Sequence, residues 1–332
     1  MRKFFLKGIL LTGLVFCAQA VWPGKVDIPN EIKLLDFALT RGADVIYLGD
    51  SAVNWSAASD ANDSSMPALL ALLVRPARVV KVTHAAYQTD VFDVYSRYVV
   101  RKGYRPGYVV VPVNMRSFSP EWDLQPLWQF DRERIILNYK DTPVMKFMKP
   151  LSVFKIFEPR ISQFAYEYAP VFDGTRYLGR VRDFDNPGYY FPTDENVRKK
   201  LMFRFLYTLT PRHRKIQSLL DTVRTLKAAG IQPIVYVTPL DYQTIEKYLG
   251  TEFRVRLRDN VAVLRSLLEK EGVDLFDFST ALSREFFGWV EDSEVLRYPN
   301  EHLRLKGRMF VVYALAENTA LKALISNKKT EK

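Results

Sequence analysis

The sequence predicts a three-layer α/β/α sandwich on a mostly parallel five-stranded sheet, with a helical, aromatic-rich insertion. Three observations carry this expectation. Short apolar runs alternate with stretches of helical periodicity, the pattern of successive βαβ units. The runs are apolar throughout rather than alternating, as in parallel strands covered by helices on both faces. The rhythm is broken once, by a section crowded with aromatics and prolines, and then resumes. With 332 residues, 48% of them apolar and 26% charged, the chain has material for an ample core.

The elements follow in order. Residues 27–41 carry a helical stripe of Ile32, Leu34, Leu35, Phe37 and Ala38. "DVIYLG" is the first strand and "ARVVKVT", ending at Thr83, the second. Residues 90–102 read as a helix, and "GYVVVPVN", ending at Asn114, as the third strand. The section from about 121 to 212 is the insertion, with Phe154, Phe157, Phe164, Tyr166, Tyr168 and Phe172 ahead of "NPGYYFPTDE". It reads as an auxiliary core, a lid over the site or a docking element. In it Arg198, Lys199, Lys200 and Arg204 form either a solvated helix face or a contact for anionic lipid. Residues 214–229 are helical and closed by Gly230, "IQPIVYVTPLD" is the fourth strand, 251–271 is helix, and "VDLFDFS" is the fifth strand. A long helix over 300–325 ends the domain, which spans 21–325, and the lysine-rich 326–332 is a disordered tail.

The first twenty residues stand apart. Arg2, Lys3 and Lys7 precede an apolar run over 8–18 and the small-residue pattern Ala18-Gln19-Ala20. This is the pattern of a secretory signal or short N-terminal anchor, with cleavage expected after Ala20. The run falls short of the roughly 20 residues that span a bilayer comfortably. Cleavage would remove three basic residues and no acid, lowering the formal charge from +11 to about +8. The single cysteine, Cys17, would leave with it, which excludes disulfides, thiol catalysis and cysteine-ligated metals from a mature exported chain. The expected location is the periplasm or the outer face of the cytoplasmic membrane. The basic balance suits an anionic partner such as a membrane surface, and there is no nucleic-acid motif.

In an open parallel sheet, ligands bind beyond the C-terminal ends of the strands. The first strand ends in Gly49-Asp50-Ser51, the second in "THAAY", the third in Asn114. Gly, Asp and Ser are common in any strand-to-helix turn. A hydroxyl, a turn of small residues and a carboxamide on one rim are also what acyl transfer needs: a nucleophile and donors for a developing oxyanion. The hydroxyl then needs a base, and the chain has three histidines, His84, His213 and His302. Position alone does not choose among them. Asp50 reads as a brace for its loop through backbone hydrogen bonds. Arg116 faces either a bound anion or a surface salt bridge.

The Gly-Asp-Ser turn after the first strand, Asn114 after the third and the late "HLRLKG" resemble the SGNH (GDSL-like) hydrolase family. "VVVPVNMRSFSPEWD" is similar to its bacterial cell-envelope subset, which includes the DltD-type proteins that work beside membrane-bound O-acyltransferases. The resemblance implies Ser51 as nucleophile and His302 as base. It places the oxyanion hole at the Ser51 N–H, the neighbourhood of Ala86 and Asn114. It implies an exported serine esterase or O-acyltransferase acting on acylated envelope polysaccharide, with no cofactor and no metal. The implied partners are an acylated carbohydrate polymer and a membrane-bound O-acyltransferase. The alternative is a catalytically silent member that binds glycan or scaffolds a membrane acylation complex.

Two positions depart from the family pattern. The second-block glycine is replaced by Ala85-Ala86-Tyr87, and an alanine N–H serves if its φ is negative. The aspartate three residues before the histidine is Pro299, leaving a backbone carbonyl, Asp292 or Glu301 to orient His302. In subtilisin, loss of the acid alone costs about 10⁴ in turnover, against about 10⁶ for the serine or histidine. A missing acid therefore weakens a Ser–His pair without abolishing it.

Overall fold

The computed structural model describes residues 7–8, 10–14, 17, 28–56, 60–123, 130–138, 171–172, 177–178, 194–288, 301–317 and 321–322. Seven strands occur among them: β1 (Val45–Gly49), β2 (Val79–Thr83), β3 (Tyr108–Val113), β4 (Val171–Phe172), β5 (Tyr177–Leu178), β6 (Gln232–Val237) and β7 (Leu275–Asp277). Five of these form one sheet in the order β2-β1-β3-β6-β7, and every neighbouring pair is parallel. The parallel sheet expected from the unbroken apolar runs is the one observed.

Strand periodicity sorts the side chains into two cores. Ile46, Leu48, Val109, Val111, Val113, Val235 and Val237 join one buried cluster. The intervening Val45, Tyr47, Val110, Ile234 and Tyr236 join the other. Successive strand residues point to opposite faces, so both faces are covered, and that makes three layers. The first cluster is closed by α1 (Asn30–Thr40), α4 (Thr89–Arg101), α8 (Arg214–Ala228) and α10 (Thr251–Lys270). The second is closed by α3 (Met66–Leu73) and α11 (Leu305–Ala316), whose Leu70, Val311, Val312 and Leu315 are fully buried. On that face the hydroxyls of Tyr47 and Tyr236 meet at 2.8 Å, and both rings are buried.

The chain runs from β1 outward to β2 and then crosses back over to β3. The β1–β3 crevice is therefore the switch point, where the chain leaves opposite faces of the sheet and its loops part. Gly49 shapes one side of it. A Cβ there would stand 2.9 Å from Val53 Cβ and 3.1 Å from Thr83 Cγ2, so only glycine lets α2 (Ser51–Asn54) turn back so closely on the strand.

Two sequence expectations need correction. The terminal helix starts at Leu305, not at 300, because the residues before it are held in extended backbone. Leu303 bridges Phe287, the Gly288 N–H donates to His302 O at 2.9 Å, and the Arg304 N–H donates to Phe286 O at 2.8 Å. The insertion, expected to be helical, also contains the antiparallel pair β4–β5. Its helices among the described residues are α5 (Pro120–Asp123), α6 (Asp131–Asn138) and α7 (Asp194–Phe205). Val197, Leu201, Phe205 and Tyr207 pack into the main core. Phe154, Phe157, Phe164, Tyr166, Tyr168 and the "NPGYYFPT" run fall outside the described residues, as do the tail and most of the first twenty. One further helix, α9 (Tyr242–Leu249), follows β6. Among the described residues no helix is long and apolar enough to cross a membrane.

Candidate active site

Three strand ends and the segment before α11 build the site. β1 delivers Asp50, which caps α2: its Oδ1 accepts from the Ala52 N–H at 3.0 Å. That bond fixes the turn and leaves Ser51 as the first residue of α2, 8% exposed. The Trp55 N–H closes the turn on Ser51 O at 2.9 Å.

β2 delivers a tight turn. The His84 N–H donates to Gly49 O and the Tyr87 N–H to His84 O, both at 3.2 Å. Between them Ala86 stands at φ +69°. The negative φ required of this alanine by the sequence argument is not what is found. The position keeps a glycine-like backbone with a β-carbon on it, a conformation that costs an L-residue roughly 1–2 kcal/mol.

β3 delivers Asn114, which caps the 3₁₀ turn Met115–Phe118 by accepting from the Arg116 N–H at 3.1 Å. Its Nδ2 donates to Asp50 Oδ2 at 3.0 Å and to Glu301 Oε2 at 2.9 Å. One carboxamide thus ties the end of β1 to the segment before α11. The Glu301 carboxylate also pairs with the Arg116 guanidinium, which lies 4.7 Å from the centre of the Trp122 ring. Glu301 directs its oxygens to Asn114 and Arg116 rather than to the neighbouring imidazole. Asp292 lies outside the described residues.

His302 is brought to the same rim by the extended segment that precedes α11. Its ring stacks on Trp55, centroids 5.6 Å apart and planes 23° from parallel, while Trp55 itself stays 40% exposed. Trp55 lies four residues beyond Ser51, so the stack sets the imidazole beside the helix that Ser51 begins. Among the described residues no hydrogen bond joins the Ser51 hydroxyl to His302. Such bonds are often long in unliganded sites and tighten with substrate.

The electrostatics follow from burial. Loss of water pushes the Asp50 carboxyl up to about 6, and the neighbouring Glu301 charge adds to the rise, against the Asn114 bond and the Arg116 charge. Burial also opposes ionisation of Glu301, but Arg116, His302 and Asn114 together outweigh it and hold that carboxyl below its ordinary range. Burial lowers His302, opposed by the Glu301 charge and reinforced by Arg116. The imidazole is therefore neutral at pH 7, the state a general base needs.

The other candidates sit elsewhere. His84 is exposed, with Nδ1 2.8 Å from Ala85 O and its ring against Tyr87 and Phe130. His213 caps α8, accepting from the Lys215 N–H at 3.2 Å. Arg198 is exposed and Arg204 half-buried. Beneath the rim, Asp50, Gln88, Thr89, Asn114 and Ser117 line a cavity with room for about one water. Among the described residues no cluster of His, Cys, Asp and Glu is placed to hold a metal ion. Sequence reasoning missed the Trp55 stack and the double use of Asn114. Nothing in a one-dimensional pattern marks either, because both depend on where residues 301–302 cross the rim.

No family model matches the chain, and no curated protein does. Among solved structures it is similar to a catalytic mutant of an acetylxylan esterase from Geobacillus stearothermophilus. That match has 11% identity and a TM-score of 0.41, covering 84% of this chain and 94% of the other. A second mutant of that enzyme, an acetyl-xylooligosaccharide esterase, matches at 10% identity and TM-score 0.40, over 83% of this chain and 93% of the other. An alpha/beta hydrolase enzyme from the metagenome of Lake Arreo, Spain, matches at 15% identity and TM-score 0.39, over 85% and 96%. Function is accordingly read from the site's own residues.

Proposed function

We propose that this protein is an exported SGNH-type serine esterase or O-acyltransferase acting on acylated cell-envelope polysaccharide. The observation that carries the reading is the His302 ring stacked on Trp55, the residue that follows the Ser51 helix, where burial lowers its pKa. His302 takes the Ser51 proton as the hydroxyl oxygen attacks the acyl carbonyl. The tetrahedral oxyanion lies against the backbone N–H at Ser51; the Ala86 N–H, expected as a second donor if its φ were negative, does not meet that condition at φ +69°. As the tetrahedral intermediate collapses, the alkoxide of the departing sugar takes the proton from His302, leaving the acyl group on Ser51. Water completes hydrolysis, and a second hydroxyl completes transfer. Asn114 joins the oxyanion hole by giving up one of its two carboxylate partners. The chemistry calls for no metal or organic cofactor. Transfer requires a source of acyl groups outside the membrane, for which a membrane-bound O-acyltransferase is the fitting partner.

The absence of a Ser51–His302 hydrogen bond and the engagement of Asn114 favour one second reading, a catalytically silent protein that binds glycan or scaffolds an acylation complex. Fluorophosphonate labelling separates the two. On the first reading the folded protein is labelled, and both Ser51→Ala and His302→Ala abolish the signal. A folded wild type that stays unlabelled, alone and with its membrane partner, overturns the enzymatic reading.

A further inference from the structure

Arg308 is a fully buried cation that the sequence pattern does not single out. It sits in the first turns of α11, six residues after His302. Its guanidinium reaches out of the helix to the segment between Trp55 and α3. Nη1 donates to Ser64 O at 2.9 Å, and Nη2 donates to Asn62 O at 2.7 Å and to Asp60 Oδ2 at 2.9 Å. The same loop is stiffened from within, where the Ser64 N–H donates to Asn62 Oδ1 at 2.8 Å. Stability alone does not account for an arginine here. Its Nε is buried with no hydrogen-bond partner among the described residues, and an apolar side chain of similar length would avoid that desolvation. What arginine provides is a three-point tie between two pieces of chain.

Those two pieces carry the two halves of the site. The loop at 60–64 follows the Ser51–Trp55 block and leads into α3. The Arg308 end belongs to the segment whose first residues are Glu301 and His302. Gly307 lets the start of α11 lie close to Phe286, since a Cβ there would stand 3.0 Å from Phe286 O. Trp55 and His302 meet by stacking, a contact set by the placement of the backbones that carry them.

We infer that Arg308 is a positioning residue: its tie to Asp60, Asn62 and Ser64 sets the separation of the Ser51–Trp55 block from His302. The inference rests on the proposed function only for its catalytic readout. The primary readout is independent of chemistry. With three histidines in the chain, the His302 Cε1–Hε1 resonance is readily assigned, and the Trp55 ring current displaces it. In Arg308→Met that displacement is lost while the His84 and His213 signals stay in place, and labelling per folded molecule falls at least tenfold. Arg308→Lys, which keeps a charge and fewer bonds, and Asp60→Ala, which removes one acceptor, lie between. If Arg308→Met does not fold, Arg308→Lys and Asp60→Ala decide by the same resonance. A His302 signal that stays at its wild-type position in folded variants overturns the inference. Should the wild type resist labelling, the function reading fails while the resonance still decides the role of Arg308.

Discussion

Replacing Glu301 by glutamine isolates one electrostatic interaction at the rim. Asp50 Oδ2 and Glu301 Oε2 accept from the same Asn114 nitrogen at 3.0 and 2.9 Å, so the two oxygens lie within 5.9 Å of each other. Two unit charges at that distance repel by about 3 kcal/mol at an effective dielectric of about 20, equivalent to about two pKa units. Asp50 stands at about 6 instead of 3.8, with burial the larger cause and Glu301 the next. Glutamine removes the charge and keeps an acceptor for Asn114. The Asp50 carboxyl should then fall by about one to two units, remaining above 3.8 because burial persists. Carboxyl carbon chemical shifts followed against pH report this directly. The folding linkage has a definite sign. The wild-type folded state holds the Asp50 proton up to about pH 6, whereas the unfolded chain releases it near 3.8. This group's contribution to stability therefore declines as pH rises through that window, by about 3 kcal/mol in all. Urea unfolding of Glu301→Gln should show a shallower decline. An Asp50 that titrates near 6 in both proteins refutes the charge–charge account. One that titrates near 3.8 in the wild type refutes the burial as well.

Two further outcomes follow from the site's geometry. Trp55→Ala strips one face from the His302 ring, so the imidazole regains water and its pKa rises toward 6.5. A base whose folded pKa lies below 6.5 loses folding stability as pH falls through that interval. The variant should therefore show less acid sensitivity below pH 6.5, and the acid limb of its labelling profile should move to higher pH; an unmoved His302 titration would show that Trp55 does not bury the ring. Ala86→Gly relieves a left-handed backbone worth about 1–2 kcal/mol and gives back about 0.4–1 kcal/mol in unfolded-chain entropy. The net is a gain of about 0.5–1 kcal/mol in urea unfolding, and a loss of stability would mean that the strain at position 86 is not real.

The layers and the sheet were legible because their signal is local. β1, β3 and β6 are apolar at every central position, and a strand with no polar side has no face to give to water. The strand ends were legible for the same reason, since Gly49-Asp50-Ser51 and Asn114 each announce a turn within a few residues. What the sequence could not supply was the partner of each polar group. Glu301 is adjacent to His302 in the chain, which suggested that it orients the imidazole. In space its carboxylate faces Asn114, 187 residues away. Extended chain sends neighbouring side chains to opposite sides, so adjacency in this segment argued against contact rather than for it. Arg308 was illegible because a lone arginine in a helix reads as a solvated residue until the loop at 60–64 is seen to enclose it.

The missing aspartate before His302 has a physical counterpart in this arrangement. In a Ser-His-Asp triad the acid both orients the imidazole and stabilises the imidazolium formed when the proton moves. Here the described residues contribute to each task. Trp55 lies against the ring, and the Gly288 N–H holds the His302 carbonyl. Charge stabilisation falls to Glu301, whose field favours the protonated form of His302 without a hydrogen bond to it. Arg116 opposes that help, because it is paired with the same carboxylate and itself disfavours the imidazolium. On the proposed function, a His302 base aided by a partly neutralised carboxylate gains less than one beside a full charge. It is also more dependent on the framework that keeps Trp55, Glu301 and His302 in register. The tie through Asn114 and the tie through Arg308 join the same two parts of the chain, and both bear on the separation of the Ser51 block from His302.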